Sequence, residues 1–148
     1  MAKVQYGFAK GKSTVEPIMT LVNVLEDARA KVKPLWICLV DLKKAYDSVE
    51  HWLIREALEF YQVDKDLIEA IMACYVGEKA FLKLPFGNTG LFNITRGVRQ
   101  GDVLSPLLFN IVMNPFYTHL SNNVEQGYKV TPRVKVNTLA FVDDICSG

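Results

Sequence analysis

The chain has 148 residues, of which 50% are hydrophobic and 22% are charged, a composition typical of one compact domain and not of a disordered protein. Seventeen Lys and Arg nearly balance sixteen Asp and Glu, so the net charge of +1 argues against a simple nucleic-acid-coating domain. Unbroken apolar runs such as 35–40 are too short to cross a bilayer, and the first residues lack the n-region and h-region pattern expected of a signal peptide. A soluble, intracellular protein is expected.

An amphipathic helix is the first predicted element. Apolar side chains recur at helical spacing from Ile18 to Ala28, and Pro17 suits a first helical turn. The segment 35–42 is apolar apart from Asp41 and rich in β-forming residues, and it predicts a buried strand that ends at Asp41. The first candidate carboxylate therefore stands at the end of a predicted core strand.

The middle of the chain predicts two helices and a hairpin. Helical periodicity returns over 51–61 and 67–75, and Gly77 is the predicted stop of the second helix. Two short apolar runs within 81–95 flank a segment rich in glycine and asparagine at 87–90. Such a pattern is typical of a β-hairpin with its turn at the glycines.

The last third predicts an apolar helix followed by a strand. Ser105 and Pro106 suit the cap and first residue of that helix, and Pro115 is expected to kink or end it. The segment 134–142 then reads as a strand that runs into the acid pair 143–144. Because helices and strands mix without regular βαβ alternation, the expected fold class is α+β.

Acids terminate two of the predicted strands. Asp41 ends the first, and Asp143 and Asp144 follow the last. If these strands are neighbours about 4.8 Å apart, Asp41 and Asp143 can both reach cations about 3.5–4 Å from each other. Oxygen ligands alone favour Mg²⁺, and two such ions predict phosphoryl transfer. Successive strand side chains face opposite ways, so Asp143 is expected to be the stronger ligand of its pair.

Two other interpretations stay open. Asp41 can simply start a turn, and Asp143 and Asp144 can form a solvated hairpin tip. Residues 7–14, GFAKGKST, resemble a phosphate-binding P-loop but lack one residue between the glycines. A P-loop NTPase would lose ATP or GTP binding on Lys12→Ala and would be indifferent to Asp143→Asn.

A segment with two glycines and two arginines lies directly before the capped helix. Glycines at 97 and 101 allow a large flat ligand to approach the backbone. The guanidinium groups of Arg96 and Arg99, together with backbone amides, can bind phosphate. Beside the acids, this segment favours a nucleotide or nucleic-acid substrate.

Four sequence blocks together resemble the palm region of a reverse transcriptase, closest to the kind encoded by non-LTR retrotransposons. In chain order they are QYGFAKGKST at 5–14, DLKKAYDSV at 41–49, RQGDVLSPLLFN at 99–110 and AFVDD at 140–144. The order and separations of the blocks are those of the family, and the resemblance spans nearly the whole chain.

The resemblance implies a polymerase palm-like antiparallel sheet packed on helices, with partial fingers and no thumb. Residues 1–148 would be a single reverse transcriptase domain fragment, with a fingers-side helix segment at 1–34 and the palm at 35–148. The implied catalytic acids and metal ligands are Asp41, Asp143 and Asp144, and the carbonyl of Leu42 is a further implied ligand. The implied cofactor is a pair of Mg²⁺ ions, with Mn²⁺ as a substitute.

Further roles are implied residue by residue. Tyr46 matches the aromatic residue that lies under the incoming sugar and selects deoxynucleotides. Gln100 and Gly101 match the part of the family that borders the nucleotide and template. The basic residues expected on the nucleic-acid side are Lys10, Lys12, Arg96 and Arg99.

The function implied by the resemblance is an RNA-directed DNA polymerase domain, in which a primer 3′-hydroxyl attacks the α-phosphate of a deoxynucleoside triphosphate. Its partners would be an RNA template, a DNA primer and the dNTP, with no membrane, and its implied location is intracellular, extending to the nucleus. The alternative is a catalytically inactive remnant of a retroelement that binds nucleic acid or protein at most.

Overall fold

The computed structural model describes residues 2–122 and 127–147, and the chain divides into two compact units. The first unit comprises Met1–Lys43 and Met113–Gly148, and the second unit comprises Lys44–Val112. Helices and antiparallel strands occur in each unit without βαβ alternation, which confirms the α+β class. No helix among the described residues is long and apolar enough to span a membrane.

The described helices are α1 Val15–Ala30, α2 His51–Phe60, α3 Lys65–Ala73 and α4 Ser105–Asn122, with a 3₁₀ turn at Tyr46–Ser48. The described strands are β1 Cys38–Asp41, β2 Lys79–Ala80, β3 Lys83–Leu84, β4 Gly87–Asn88, β5 Phe92–Asn93, β6 Tyr128–Thr131, β7 Val134–Val136, β8 Thr138–Phe141 and β9 Asp144–Ser147.

A three-stranded antiparallel sheet in the order β1-β9-β8 organises the first unit. Ala140 in β8 and Ile145 in β9 are register partners, and both are buried with Tyr117 of α4. Further apolar side chains pack around this cluster: Ala2, Val4, Met113 and Leu120. One face of the sheet, here called the packed face, is therefore closed by the second half of α4.

Helix α1 packs on the hairpin formed by β6 and β7. Val24 and Ala28 of α1 are buried together with Tyr128 of β6. Asp27 links the same elements, because it accepts a hydrogen bond from the Tyr128 hydroxyl at 2.8 Å and pairs with Lys31 at 2.6 Å. Hydrogen bonds from Lys31 and then Tyr128 lower the pKa of Asp27, so the carboxylate stays ionised as their partner.

Helices α2 and α3 contact each other in the second unit. Ile54 of α2 and Ile68 of α3 are buried, as the helical periodicity predicted. Arg55 donates to both carboxylate oxygens of Glu69, at 2.6 and 3.0 Å, and so joins the two helices on their exposed side. Asp64 caps α3 by accepting from the first backbone amides.

The helix predictions are confirmed, and of the two effects expected of Pro115, a kink or an end, the end is excluded. Helix α4 begins at Ser105 as expected, but it runs through Pro115 and ends at Asn122, so the proline does not end it. Tyr117 and Leu120, which follow the proline, pack on the sheet of the first unit. Burial of these side chains offsets the helix penalty of about 3 kcal/mol for an internal proline.

Three strand predictions are corrected. The buried strand expected over 35–42 is the shorter β1, whose four residues are all exposed; Leu39 is 76% exposed. The hairpin turns at 85–86, because Leu84 pairs with Gly87, so the glycine segment forms strand β4. The strand expected over 134–142 is two strands separated by Asn137. Continuous apolar character correctly predicted extended backbone in these segments. It did not predict which elements cover a strand or where the chain turns.

Candidate active site

Asp41 and Asp144 lie directly opposite each other in the central sheet of the first unit. Asp41 ends β1, Asp144 begins β9, and the two are register partners in an antiparallel pair. Such partners have Cβ atoms about 4.5–5.5 Å apart on the same face of a sheet. Both residues are exposed. Two carboxylates therefore stand side by side where solvent and a ligand can reach them.

The acids share the sheet face opposite the packed face. Side chains alternate along a strand, so Leu39 and Asp41 of β1 face the same way as Asp144 and Cys146 of β9. This face, here called the open face, borders a cavity of about 470 Å³ between the sheet and the start of α1. Asp41 and Asp144 are the charged members of an otherwise largely apolar lining. The cavity gives the carboxylate pair an accessible approach.

Asp143 lies in the tight turn between β8 and β9. Phe141 pairs with Asp144, which leaves Val142 and Asp143 as a two-residue loop. Asp143 is half-buried, and its charge acts on the hydroxyl of Tyr117: burial first, and Asp143 second, raise the pKa of Tyr117 to about 12. Strand β9 lies between β8 and β1 and begins at Asp144. The residue of the acid pair that lies opposite Asp41 is therefore Asp144. The stronger ligand role expected for Asp143 stays a prediction.

The donor chemistry of the open face suits a hard divalent cation. Among residues 2–122 and 127–147, no three His, Cys, Asp or Glu side chains form a group that could hold a metal ion alone. A pair of carboxylates is nevertheless a typical protein contribution to Mg²⁺, which keeps waters and substrate phosphates as its other ligands. Leu42 directly follows Asp41, so its carbonyl is the nearest backbone candidate in sequence.

The turn that carries Asp143 is held by the first segment of the chain. Gln5 is completely buried, and its side-chain oxygen accepts from the backbone amides of Gly7 at 2.7 Å and Val142 at 3.0 Å. Its side-chain nitrogen donates to the carbonyl of Val142 at 3.2 Å. The Tyr117 hydroxyl donates to the same carbonyl. The residue pattern marked 5–14 as a family block but gave no role to Gln5.

Gly7 is required by the close approach of this segment to the turn. A Cβ at position 7 would lie 2.5 Å from Val142 Cγ2 and 2.6 Å from the Val142 backbone nitrogen. Only glycine fits without moving one of the two segments. The P-loop interpretation needs a firm strand directly before Gly7. The described residues there form an isolated parallel bridge, Gln5 with Ala140, in place of such a strand.

The lysines predicted for nucleic-acid binding differ in their surroundings. The Lys12 ammonium group donates to the carbonyls of Lys3 at 2.7 Å and Gln5 at 3.0 Å, and lies 4.4 Å from the centre of the Tyr6 ring. Lys12 therefore ties together the segment that holds the turn. Lys10 is exposed.

The other predicted substrate residues lie in the second unit, where Tyr46 meets the glycine–arginine segment. The Tyr46 ring is 5.0 Å from that of Phe109 between centroids, and its carbonyl accepts from the Val98 amide at 2.9 Å. The Gly97 amide donates to the Val49 carbonyl at 2.7 Å. These contacts seat the segment around Gly97 on the turn that begins at Tyr46.

The arginines of this segment have different partners. Arg99 pairs with Glu78 at 2.8 Å and donates to the Cys74 carbonyl at 2.5 Å. The hydrogen bond that Arg99 donates to Glu78 is the main cause that raises the pKa of Arg99. Arg96 is largely exposed and reaches Glu50 only at 4.0 Å. Gln100 and Gly101 are exposed at the surface of the second unit.

Comparison with known proteins identifies the family. The family model described as reverse transcriptase (RNA-dependent DNA polymerase) matches residues 1–147. The chain belongs to the reverse transcriptase family. The similarity of its four sequence blocks to that family is thereby confirmed over nearly the whole chain.

The curated relatives include retrotransposon polyproteins. The retrovirus-related Pol polyprotein from type-1 retrotransposable element R2 of Nasonia vitripennis is 36% identical over 141 residues, which are 95% of this chain and 14% of that protein. The corresponding polyprotein from type-2 element R2DM of Drosophila melanogaster is 30% identical over 95% of this chain and 13% of its own length. The chain thus spans a small part of the curated relatives it matches.

Solved telomerase structures share the fold. An apo telomerase from Candida Tropicalis truncated from its C-terminal domain aligns with a TM-score of 0.61 at 19% identity, covering 97% of this chain and 29% of that one. Telomerase from Candida Tropicalis in complex with a TWJ fragment of telomeric RNA aligns with a TM-score of 0.60 at 18% identity, covering 97% and 25%. The expected palm-like α+β fold is confirmed.

Proposed function

We propose that this reverse transcriptase domain transfers nucleotides from a dNTP to a primer 3′-hydroxyl on an RNA template, at the carboxylate pair of the open face. The new bond joins the 3′-oxygen to the α-phosphorus as the hydroxyl gives up its proton to water, and the bond from the α-phosphorus to the bridging β-phosphate oxygen breaks to release pyrophosphate. Asp41, Asp143 and Asp144 are the proposed catalytic acids.

The register of two acids is the observation that carries the proposal. Asp41 and Asp144 are opposite each other and exposed, in a chain of a polymerase family. Like charges in this arrangement repel each other, and a cation between them relieves the repulsion. No ion pair with either carboxylate occurs among residues 2–122 and 127–147. Both carboxylates are therefore available to a divalent cation without the loss of an ion pair in the described part of the chain.

Mg²⁺ is the proposed cofactor, as two ions, with Mn²⁺ as a substitute. Its chemistry when bound is to lower the pKa of a coordinated hydroxyl and to offset negative charge on the triphosphate. Asp41 and Asp144 supply the carboxylates that hold it, and Asp143 and the carbonyl of Leu42 are the further proposed ligands. The remaining ligands are waters and substrate phosphates, as Mg²⁺ prefers.

Substrate selection is proposed for residues outside the carboxylate pair. Tyr46 selects deoxynucleotides at the sugar, and Gln100 and Gly101 border the nucleotide and template. The basic residues proposed to bind nucleic-acid phosphates are Lys10, Lys12, Arg96 and Arg99. Lys12 and Arg99 must exchange their present partners, backbone carbonyls and Glu78, to do so.

Primer extension on an RNA template with Mg²⁺ tests the proposal. We expect Asp41→Asn and Asp144→Asn each to lower the rate by about 10³-fold or more, equivalent to about 4 kcal/mol of lost transition-state stabilisation. The matched control is Asp66→Asn, which alters an exposed aspartate in the first turn of α3. Equal extension by the native chain and Asp144→Asn contradicts the proposal. Salt-sensitive nucleic-acid binding without extension supports the inactive binding module instead.

A further inference from the structure

The turn between β8 and β9 holds a backbone conformation that its residues disfavour. Val142 has a φ of +57°, in the left-handed region, where a β-branched side chain is a genuine outlier. Asp143 and Asp144 follow it directly. A disfavoured conformation persists only where the surroundings impose it, so the groups that contact Val142 decide where the following carboxylates lie.

The Gln5 side chain supplies that constraint. Val142 is buried, and both its amide and its carbonyl are bound by the Gln5 carboxamide. Buried backbone groups without partners are costly, so this pairing is tied to one conformation of the turn. The amide of Gly7 donates to the same carboxamide oxygen and fixes its orientation. Tyr117 adds a second donor to the Val142 carbonyl.

The segment around Gln5 is itself anchored to β8. The Tyr6 amide donates to the Ala140 carbonyl at 2.8 Å, and the Ala140 amide donates to the Val4 carbonyl at 2.9 Å. The carboxamide is therefore attached to the same strand from which the turn departs. A rigid connection from strand to segment to turn lets one side chain set the position of the loop.

We propose that Gln5 is a positioning residue for nucleotidyl transfer, which acts by holding the Val142–Asp143 turn so that Asp144 stays opposite Asp41. The inference rests on the proposed function, because it concerns the same carboxylates. Gln5 touches neither substrate nor metal in this role. Loss of an outer group that orients metal ligands typically lowers metal affinity or activity by about 10- to 100-fold.

Mn²⁺ affinity of the full 148-residue chain, measured by electron paramagnetic resonance, is the test. Gln5→Met, which keeps the length of the side chain and removes its hydrogen bonds, should weaken Mn²⁺ binding by about 10- to 100-fold. Exchange of the Val142 amide, followed by NMR, should accelerate in the same variant. Gln5→Glu keeps the accepting oxygen but sets a second carboxylate oxygen against the Val142 carbonyl at a completely buried position, so it should weaken Mn²⁺ binding as well.

A rescue variant separates positioning from general destabilisation. Glycine adopts the left-handed conformation freely, so Val142→Gly introduced into Gln5→Met should recover at least tenfold of the lost Mn²⁺ affinity. The control is Tyr128→Phe, which removes a side-chain hydrogen bond in the other core cluster of the first unit and should leave Mn²⁺ affinity unchanged.

The outcomes for the two proposals differ. Native affinity in both Gln5→Met and Gln5→Glu, or no recovery in the double variant, overturns the positioning role. Native affinity in Asp144→Asn overturns the carboxylate site itself, and with it the proposed function. Weakened binding in Asp144→Asn beside native binding in the Gln5 variants overturns the positioning role alone.

Discussion

The two faces of the β1-β9-β8 sheet differ in what they are built to do. On the packed face, Ala140 and Ile145 are 1% and 4% exposed and lie against Tyr117. On the open face, Leu39 is 76% exposed, and the two opposed carboxylates stand beside a cavity. Apolar burial stabilises the sheet mainly from the packed face, although Leu139 on the open face is also buried. The exposed end of the open face, where Asp41 and Asp144 lie, is consequently free to carry like charges that a closed core would not tolerate.

The largest difference in stability is expected between buried and exposed apolar residues on neighbouring strands. Ile145→Ala should lower the free energy of unfolding by about 2–5 kcal/mol, because it opens a cavity in the packed face. Leu39→Ala should change it by less than about 0.5 kcal/mol. Urea denaturation measures both variants. Equal losses would show that the two faces contribute alike.

Alkaline pH should weaken the packed face through Tyr117. Burial, and then the charge of Asp143, raise its native pKa to about 12, above the ordinary value of 10.0. The folded state therefore holds the proton more tightly, so stability is complete below pH 10 and is lost as pH rises through 12. The full loss is about 2–3 kcal/mol. The free energy of unfolding should fall less steeply with pH between 10 and 12 in Tyr117→Phe than in the native chain. An identical slope in the two proteins would mean that Tyr117 is not the group responsible.

A substitution in the contact between residue 7 and the β8–β9 turn should lower stability nearly as much. In Gly7→Ala, the new Cβ meets both the side chain and the backbone of Val142, and such overpacking costs about 1–3 kcal/mol. The control is Gly90→Ala, where no described neighbouring atom lies within 4 Å of the added Cβ. Thermal unfolding should therefore distinguish the two alanines. Similar melting temperatures would mean that the approach of Gly7 to the turn is not close.

The smallest effect is expected from the open face, and its sign is opposite. Asp144→Asn removes one of two opposed like charges, so the free energy of unfolding without divalent cation should rise slightly, by at most about 1 kcal/mol. Added Mg²⁺ should stabilise the native chain and leave the variant almost unchanged. Differential scanning calorimetry with and without Mg²⁺ measures this. A loss of stability in the metal-free variant would contradict the comparison of the faces.

Local patterns predicted the helices well. Helices α1, α2 and α3 follow apolar periodicity, and the start of α4 at Ser105 follows its serine–proline signal. The failures concern features that depend on distant parts of the chain. The apolar run of β1 suggested burial, yet its four residues are exposed, because cover depends on which elements pack there. Pro115 lies inside α4, where packing outweighs its local preference.

The acids of the candidate site could be predicted from the sequence, but their arrangement could not. Strand β9 begins at Asp144 and lies between β8 and β1, and nothing local in its four residues specifies that pairing. Only the strand register in the structure shows that Asp144 is the neighbour of Asp41. Gln5 was missed for the same reason, because its contacts with Val142 join residues 137 positions apart.

Locating a divalent cation on the chain tests whether Asp41 and Asp144 form a shared cation site. Mn²⁺ added to isotopically labelled protein broadens the NMR signals of nuclei close to it. We expect the amides of Asp41 and Asp144 to broaden first, and this selectivity to disappear in Asp144→Asn. Broadening that begins elsewhere, or that is the same in the native chain and the variant, would contradict the claim that these two carboxylates form a shared cation site.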